Sequence, residues 1–245
     1  MSRARPVEQF LGLGFYAGTL DDAAREVLRR DPAQPFSYVV TPNVQHMVML
    51  LEQPAATAHL YEGAWRVFCD SRVLSRLARL FGRRLPVVTG SDFTARLLRQ
   101  AELAGVKVAI VGPAAADCAR LRARFPRLAF ACHTPPMGFI DSPAATQACI
   151  EFVVHQRAAM TFIAVGAPRQ EMLAHRIAAR PDAVGVGLCV GASIDFLTGR
   201  QRRAPAWMQK AGVEWLHRLA SDPVRLASRY LVESPRIFLL ALRAR

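Results

Sequence analysis

The sequence predicts an α/β fold: a Rossmann-like, mostly parallel sheet with helices on both faces, followed by a basic helical C-terminal appendage. Short apolar segments alternate along the chain with longer segments that have helical periodicity. This alternation is typical of βαβ units, which build a parallel sheet covered on both faces. The composition changes once, after Gly199, where the chain becomes strongly basic. We therefore expect an α/β domain over residues 1–199 and the appendage over residues 200–245.

The first domain contains six segments with the length and apolar character of buried strands. They cover residues 36–41, 66–69, 107–112, 128–132, 161–166 and 183–190. Helical patterns occupy residues 43–53, 71–82, 93–105, 113–125, 144–156 and 169–180. Ser91 and Asp92 are predicted to cap the third of these helices, because short polar side chains accept hydrogen bonds from the first turn.

The appendage is predicted to form three short helices that begin near Pro205, Pro223 and Pro235, because proline suits the first position of a helix. From residue 200 onward there are ten Lys and Arg residues against three Asp and Glu residues. Aromatic residues are interleaved with this charge at Trp207, Trp215, Tyr230 and Phe238. Amphipathic helices of this kind favour an anionic membrane surface. We expect the appendage to be loosely held in solution, since its apolar face has no predicted partner in the sheet domain.

The net charge of +13 predicts an anionic partner, which could be nucleic acid, phospholipid or a phosphate-bearing substrate. The sequence shows neither a secretory signal pattern nor an apolar run of the roughly 20 residues that a spanning helix needs.

Five cysteines are widely spread without a C-x-x-C pair. They are interpreted as small buried residues of a protein in a reducing cytoplasm, which argues against zinc.

Ligands of open parallel sheets bind outside the carboxyl ends of the strands, so the residues that follow each strand are the candidate site residues. They are Thr41, Asn43, Asp70, Gly112, Gly166, Gln170 and Asp195. Asp70 has two interpretations: it caps the helix that starts near Ser71, which its position alone favours, or it is a general base. Thr41 and Asn43, in the segment TPN before a helical segment, carry the same ambiguity, because an asparagine at such a position is commonly a cap.

Two glycines at strand ends also have two interpretations each. Gly112 could bring backbone N–H groups to a phosphate or simply permit a tight turn, and the G-x-G-x-x-G spacing is absent. After Gly166, the side chains of Arg169, Gln170 and Glu171 could face the crevice. Alternatively, Glu171 is an acidic residue in a first helical turn, where the helix dipole favours it.

No two aspartates are separated by a single residue, so the D-x-D arrangement that binds a metal-nucleotide complex in many glycosyltransferases is missing. If the protein handles a diphosphate, arginines and helix N-termini must neutralise its charge.

Taken together, these segments resemble the WecG/TagA/CpsF family of inverting bacterial glycosyltransferases. The matching segments occur in family order: TPN at 41–43, Asp70 at a strand end, VTGSDF at 88–93, VGP at 111–113, GAPRQE at 166–171, VGASIDFLTGRQRRAP at 190–205, EWLHRLASDP at 214–223 and RY at 229–230. The chain departs from the family pattern at Ser71, at Val87 and at Ser228, where the family usually has glycine, arginine and arginine.

The resemblance implies a catalytic domain that transfers a sugar, without a metal or other cofactor, from a UDP-sugar to a saccharide on a polyprenyl diphosphate. It implies a peripheral location on the inner face of the cytoplasmic membrane, a role in exopolysaccharide, teichoic acid or antigen synthesis, and no nucleic-acid partner. Whether the chain forms a homo-oligomer stays open. By the same resemblance, Asp70 is the base, and Thr41 and Asn43 bind the acceptor. The donor residues are Gly112, Gly166, Gln170, Glu171 and Asp195, and the diphosphate residues are Arg218, Arg225 and Arg229.

Two other classes of function fit parts of the sequence. A nucleotide-dependent oxidoreductase would share the Rossmann-like fold, but it would require a full glycine fingerprint with an acid about 20 residues further on. A nucleic-acid-binding protein would use the basic appendage, but the arginines there accompany tryptophan and apolar residues and end in IFLLAL, which suits lipid better.

Overall fold

The computed structural model describes the backbone of residues 7–243 and their side chains except those at positions 206, 209, 210, 218, 225 and 229. The strands are β1 Val7–Phe10, β2 Leu13–Tyr16, β3 Ser37–Val40, β4 Arg66–Val67, β5 Val108–Val111, β6 Phe130–His133, β7 Met160–Ile163 and β8 Val186–Cys189. The helices that cover them are α1 Leu20–Arg29, α2 Val44–Glu52, α3 Pro54–Glu62, α4 Arg72–Leu80, α5 Gly90–Ala104, α6 Ala115–Arg124, α7 Pro143–Gln156, α8 Arg169–Ala178 and α9 Ser193–Leu197.

Strands β3 to β8 form one parallel sheet in the order β4-β3-β8-β7-β5-β6. Every predicted strand overlaps one of these six, so the predicted Rossmann-like fold is confirmed. The residues of β5, β7 and β8 are all buried. Such strands are covered on both faces, which is why their sequences are nearly continuous apolar runs.

The two faces of the sheet pack into two apolar clusters. Helices α2, α3, α7 and α8 cover one face, where Met47 and Leu173 are fully buried. Helices α1, α5 and α6 cover the other face, where Phe93 and Leu97 are fully buried. The sheet is therefore sandwiched between helices, and its carboxyl edge is the surface on which the site residues collect.

The hairpin of β1 and β2 was not predicted from the sequence. Its two-residue turn consists of Leu11 and Gly12, with φ of 50° and 80°. Positive φ at both positions is what a tight hairpin turn requires, but only Gly12 signals it in the sequence.

The predicted cap of α5 was wrong. Thr89 caps this helix by accepting a hydrogen bond from the Asp92 N–H, and Asp92 lies in the first turn.

The appendage contains α10 Ala206–Ala211, α11 Glu214–Ser221, α12 Pro223–Ala227, a π-helical segment Ser228–Glu233 and α13 Arg236–Arg243. The first predicted helix is divided, because Gly212 with φ of +74° ends α10. Helices α12 and α13 begin at or next to the predicted prolines.

Helix α13 packs on the sheet domain, so the expectation that the appendage has no apolar partner there was wrong. Ile237 and Ala241 are buried in the cluster that contains residues of α2. Arg236 pairs with Glu52 at 2.8 Å, and the Gln45 amide donates to Glu233 at 3.2 Å. The appendage is thus held against α2 by apolar burial and by polar contacts.

Two of the five cysteines also differ from expectation. Cys118 on α6 and Cys132 on β6 form a disulfide, because the helix and the following strand pack together. Cys69, Cys149 and Cys189 are free and buried, as expected. None of the helices within residues 7–243 has the length and apolar character to cross a bilayer.

The docking of α13 predicts different costs for two substitutions on the same helix. Ile237→Ala removes a side chain with 0% exposure and should lower the free energy of unfolding by about 2–5 kcal/mol. Leu239→Ala, at 62% exposure, is the matched control and should change it little. Urea unfolding and hydrogen exchange across α2 and α13 would measure both. Equal effects of the two variants would show that α13 does not dock as described.

Candidate active site

A cavity of about 520 Å³ lies between the carboxyl ends of β3 and β4 and the appendage. Its wall on the sheet domain includes Asn43, Asp70, Arg72, Val73 and Thr89. Its wall on the appendage includes Arg203, Glu214, Trp215, Tyr230, Leu231 and Phe238. One wall is therefore mainly polar, whereas the other combines charge with aromatic and apolar surface.

Asp70 lies on the polar wall, in the segment that joins β4 to α4. The cap of α4 is Ser71, whose Oγ accepts from the Leu74 N–H at 3.1 Å. The backbone N–H of Asp70 donates to the Pro42 carbonyl at 3.0 Å, which ties this position to the end of β3. The capping interpretation of Asp70 was therefore wrong, and its carboxylate lines the cavity instead.

Asn43 is both a helix cap and a cavity residue. Its Oδ1 accepts from the N–H groups of Gln45 and His46, at 3.0 and 3.4 Å, and its own N–H donates to the His46 ring. Because the cap occupies Oδ1, Asn43 would meet a bound molecule with its Nδ2 group.

Thr41 is 3% exposed, and its hydroxyl donates to the Cys189 carbonyl at 2.9 Å. It joins the ends of β3 and β8 and does not line the cavity.

The predicted donor glycines lie at the ends of β5 and β7, outside the lining of the cavity. Gly112 has φ of +125°, and a Cβ there would be 2.6 Å from the Ala164 carbonyl oxygen. This close approach supports the tight-turn interpretation of Gly112. Gly166, at φ +77°, opens α8, since its carbonyl accepts from the Gln170 N–H at 3.0 Å.

Gln170 and Glu171 are each 1% exposed, so of the two interpretations the one in which these side chains face an open crevice was wrong, and Glu171 lies in the first turn of α8. The Gln170 amide donates to Glu171 Oε1 at 2.7 Å, and its Oε1 accepts from the Gly191 N–H at 2.9 Å. The two side chains therefore brace the loop that follows β8. Asp195, on α9 beyond this loop, accepts from the Gln201 amide at 3.3 Å and also lies outside the cavity lining.

Arg72 and Arg203 are cationic cavity residues that the sequence analysis did not single out as site residues. Arg203 lies in the RQRRAP segment that carried part of the family resemblance, but the segment alone did not indicate which arginine points inward. The predicted diphosphate residues Arg218, Arg225 and Arg229 belong to α11, α12 and the π-helical segment, and their side chains lie outside the described part of the structure.

Within residues 7–243, no three His, Cys, Asp or Glu side chains are grouped in a way that could hold a metal ion. The cavity presents two carboxylates, Asp70 and Glu214, on opposite walls, together with the guanidinium groups of Arg72 and Arg203. Such a set can accept a proton from a hydroxyl and can pair with anionic oxygens.

Glu171 is a buried acid in the core next to the sheet. Burial raises its pKa to about 7, although hydrogen bonds from the Gln170 amide and from its own backbone oppose the rise. Its Oε2 has no hydrogen-bond partner among the described residues. Burial, and then the charge of Glu171, also raises the pKa of Tyr61, whose hydroxyl is likewise without a partner there.

The raised pKa of Glu171 predicts a pH-dependent stability. Between about pH 4.5 and pH 7 the carboxyl group of Glu171 keeps its proton in the folded state but loses it in the unfolded state. The contribution of this protonated group to the free energy of unfolding is therefore complete below pH 4.5, and it is lost as the pH rises through about 7. From pH 4.5 to pH 8 the wild type should lose about 3 kcal/mol of unfolding free energy that Glu171→Gln does not lose, because glutamine does not titrate. Relative to the wild type, the variant therefore gains this amount over that pH range. Urea unfolding across this range would measure the gain. Glu62→Gln, at the surface, is the control for loss of a carboxylate; a parallel pH dependence of wild type and Glu171→Gln would contradict the prediction.

The fold and the cavity agree with a comparison of the sequence with known families. A family model described as "Glycosyl transferase WecG/TagA/CpsF family" matches residues 8–245, which is nearly the whole chain. The match includes the sheet domain, the Asp70 strand end and the complete appendage, so it covers both walls of the cavity. The chain therefore belongs to the WecG/TagA/CpsF family of glycosyltransferases.

Proposed function

We propose that this glycosyltransferase moves a hexose or N-acetylhexosamine from a UDP-sugar to a saccharide carried on a polyprenyl diphosphate, with inversion and without a metal ion. The product would enter a cell-surface polysaccharide. The observation that carries the proposal is the position of Asp70: a carboxylate that does not cap α4 lines a cavity enclosed by a basic, aromatic appendage.

Asp70 is the proposed general base. The acceptor hydroxyl oxygen attacks the anomeric carbon from the side opposite the nucleotide, its proton passes to Asp70, and the bond from the anomeric carbon to the diphosphate oxygen breaks. In-line attack inverts the configuration at the anomeric centre. Asn43, on the same wall as Asp70, is proposed to orient the acceptor through its Nδ2 group. Thr41 would support this wall from beneath, through its bond to the Cys189 carbonyl.

The donor is proposed to reach the cavity from the carboxyl edge of the sheet. Gln170 and Glu171 brace the loop after β8, and Gly112, Gly166 and Asp195 lie at the same edge of the sheet. We propose that they shape the donor site through the backbone of these loops. Metal independence is proposed because the D-x-D pattern is absent from the sequence, and arginines can stabilise a departing diphosphate directly. Arg218, Arg225 and Arg229 stay predictions for this role.

The appendage is proposed to place the cavity on the inner face of the cytoplasmic membrane. Its surface combines basic residues with exposed apolar side chains, among them Val224 at 96% and Leu242 at 61% exposure. Interfacial helices bind anionic lipid through this combination of charge and apolar area. A cavity wall with Trp215, Tyr230 and Phe238 suits an acceptor that carries a lipid chain.

The transfer is tested by UDP release from a panel of UDP-sugars, with a short polyprenyl-diphosphate-sugar acceptor in detergent and EDTA present throughout. Wild type should release UDP from one donor only when acceptor is added. Asp70→Asn should lower this turnover by about 100- to 10,000-fold, because the amide cannot take the proton. It should leave UDP affinity, measured by calorimetry, close to wild type.

Asp31→Asn is the matched control, since Asp31 is an exposed acid outside the cavity and should keep full turnover. Full turnover by Asp70→Asn would remove Asp70 from the role of base. UDP release that occurs only in a parallel assay without EDTA would overturn the metal-free mechanism, and no release from any donor with or without EDTA would overturn the proposed reaction.

Membrane association is tested by sedimentation with vesicles that contain phosphatidylglycerol or only phosphatidylcholine. The double change Leu239→Ser and Leu242→Ser should weaken binding to anionic vesicles by roughly tenfold or more, because it removes exposed apolar area from α13. Leu103→Ser, at 82% exposure on α5, is the control and should bind as wild type does. An equal loss in the control, or wild-type binding that ignores lipid charge, would contradict this role of the appendage.

A further inference from the structure

We infer that Arg203 and Arg72 form a diphosphate-binding pair in the cavity and that the carboxylate of Asp92 positions Arg203 near Asp70. The inference rests on the proposed function for the identity of the substrate. It assigns the diphosphate to two residues of the cavity itself, whereas the sequence had indicated only arginines further along the appendage.

Arg203 lines the cavity and links the appendage to the start of α5. It stands at the start of the appendage, its Nη1 donates to Asp92 Oδ1 at 2.6 Å, and its charge interacts with Glu214 on α11 and with Asp70. Burial by itself lowers the pKa of Arg203, but the hydrogen bond to Asp92 and the three nearby carboxylates raise it overall. The guanidinium is therefore held charged at a fixed place.

The guanidinium of Arg203 has one nitrogen without a protein partner among the described residues. Its Nε is buried and has no hydrogen-bond acceptor among the described residues. Leaving a buried charged donor unsatisfied is costly, which makes such groups candidates for ligand binding. The side chain of Arg203 is 29% exposed and lines the cavity, so an anion that enters the cavity can reach the guanidinium and, after a shift of this side chain, supply the acceptor that Nε lacks.

Asp92 acts as the anchor of this arrangement. Its Oδ2 accepts from the Thr89 hydroxyl at 2.7 Å, and its Oδ1 accepts from Arg203. Its backbone N–H donates to Thr89, the cap of α5, so the carboxylate is fixed to the first turn of a 15-residue helix. Both carboxylate oxygens are thus occupied, and Asp92 sets the direction in which the remaining donors of Arg203 point.

Arg72 brings a second cation to the same place. It opens α4 directly after the Asp70–Ser71 pair and lines the cavity. Burial raises the pKa of Asp92, but the hydrogen bonds from Arg203 and Thr89 and the charges of Arg203 and Arg72 lower it overall. Arg72 and Arg203 are therefore both within electrostatic reach of one carboxylate.

Two guanidinium groups that line one cavity, each from a different wall, fit a diphosphate better than a single phosphate or a neutral sugar. A guanidinium presents a planar fork of donors that matches anionic oxygens, and neighbouring phosphates can each occupy one fork. During transfer the bond from the anomeric carbon to the diphosphate breaks, so the leaving diphosphate gains one negative charge. Cations that are already in place next to Asp70 stabilise that charge as it develops.

The experiment compares UDP, UMP and a short-chain prenyl diphosphate sugar as ligands by calorimetry, together with kcat and KM in the UDP-release assay. Arg203→Gln should weaken binding of the diphosphate that occupies this site by roughly 10- to 100-fold and change UMP binding far less. Arg203→Lys should recover only part of the loss, since it keeps the charge but not the fork. Arg202→Gln is the matched control, because Arg202 is the exposed neighbour and does not line the cavity.

The two diphosphate sources give different results. If the site holds the nucleotide, Arg203→Gln loses UDP affinity and keeps prenyl diphosphate affinity; if it holds the acceptor, the pattern is reversed. Asp92→Asn should weaken the same ligand, and Arg203→Gln should add little in that background, because the two residues act as one unit.

Equal losses for UDP and UMP in Arg203→Gln, or unchanged binding of both diphosphates, would overturn the inference. If the wild type transfers sugar and Arg203→Gln does so equally well, the diphosphate site is contradicted but the proposed function is not. If the wild type binds a diphosphate through Arg203 but transfers no sugar, the proposed function is contradicted but the diphosphate site is not.

Discussion

The packing of α13 on α2 is the contact on which the candidate site depends. Burial of Ile237 and Ala241 in the cluster next to the sheet places the appendage over the carboxyl ends of β3 and β4. Without this contact the polar wall that carries Asp70 would be an open sheet edge, and the aromatic wall would have nothing to enclose. Apolar burial is non-directional, so polar contacts must set the position of the appendage, and the Arg236–Glu52 pair does so at the start of α13.

Electrostatics then divides the cavity into functions. Asp70 is the proposed proton acceptor after β4, whereas both carboxylate oxygens of Asp92 are hydrogen-bonded, one to Arg203 and one to Thr89. The two acids have different roles because of what surrounds them. Asp92 therefore anchors Arg203, whereas Asp70 lines the cavity. The same contrast separates Asp70 from Glu171, which is buried, has a raised pKa and braces a loop from within the core.

The sequence predicted the sheet with few errors, because buried parallel strands are apolar on both faces and stand out from the helices between them. It failed where one short polar residue competed with its neighbour for a local hydrogen bond. Ser71, not Asp70, caps α4, and Thr89, not Ser91 or Asp92, caps α5. Pattern alone cannot rank such neighbours, since the choice depends on which residue adopts the extended backbone of a cap. The disulfide of Cys118 and Cys132 was missed for a related reason: the two residues meet only because α6 packs on the strand that follows it.

The chain by itself determined the α/β class, the basic character of the appendage, the family and the presence of an acid at the end of β4. These properties are local, because hydrophobic period, charge and ordered motifs are written in consecutive residues. Only the tertiary structure decided which polar residues face the cavity. It buried Gln170 and Glu171, set Thr41 against β8, and brought Arg203 to Asp92 across more than a hundred positions of sequence. The physical reason is that a side chain's role depends on its solvent access and its partners, and both are properties of the packed chain.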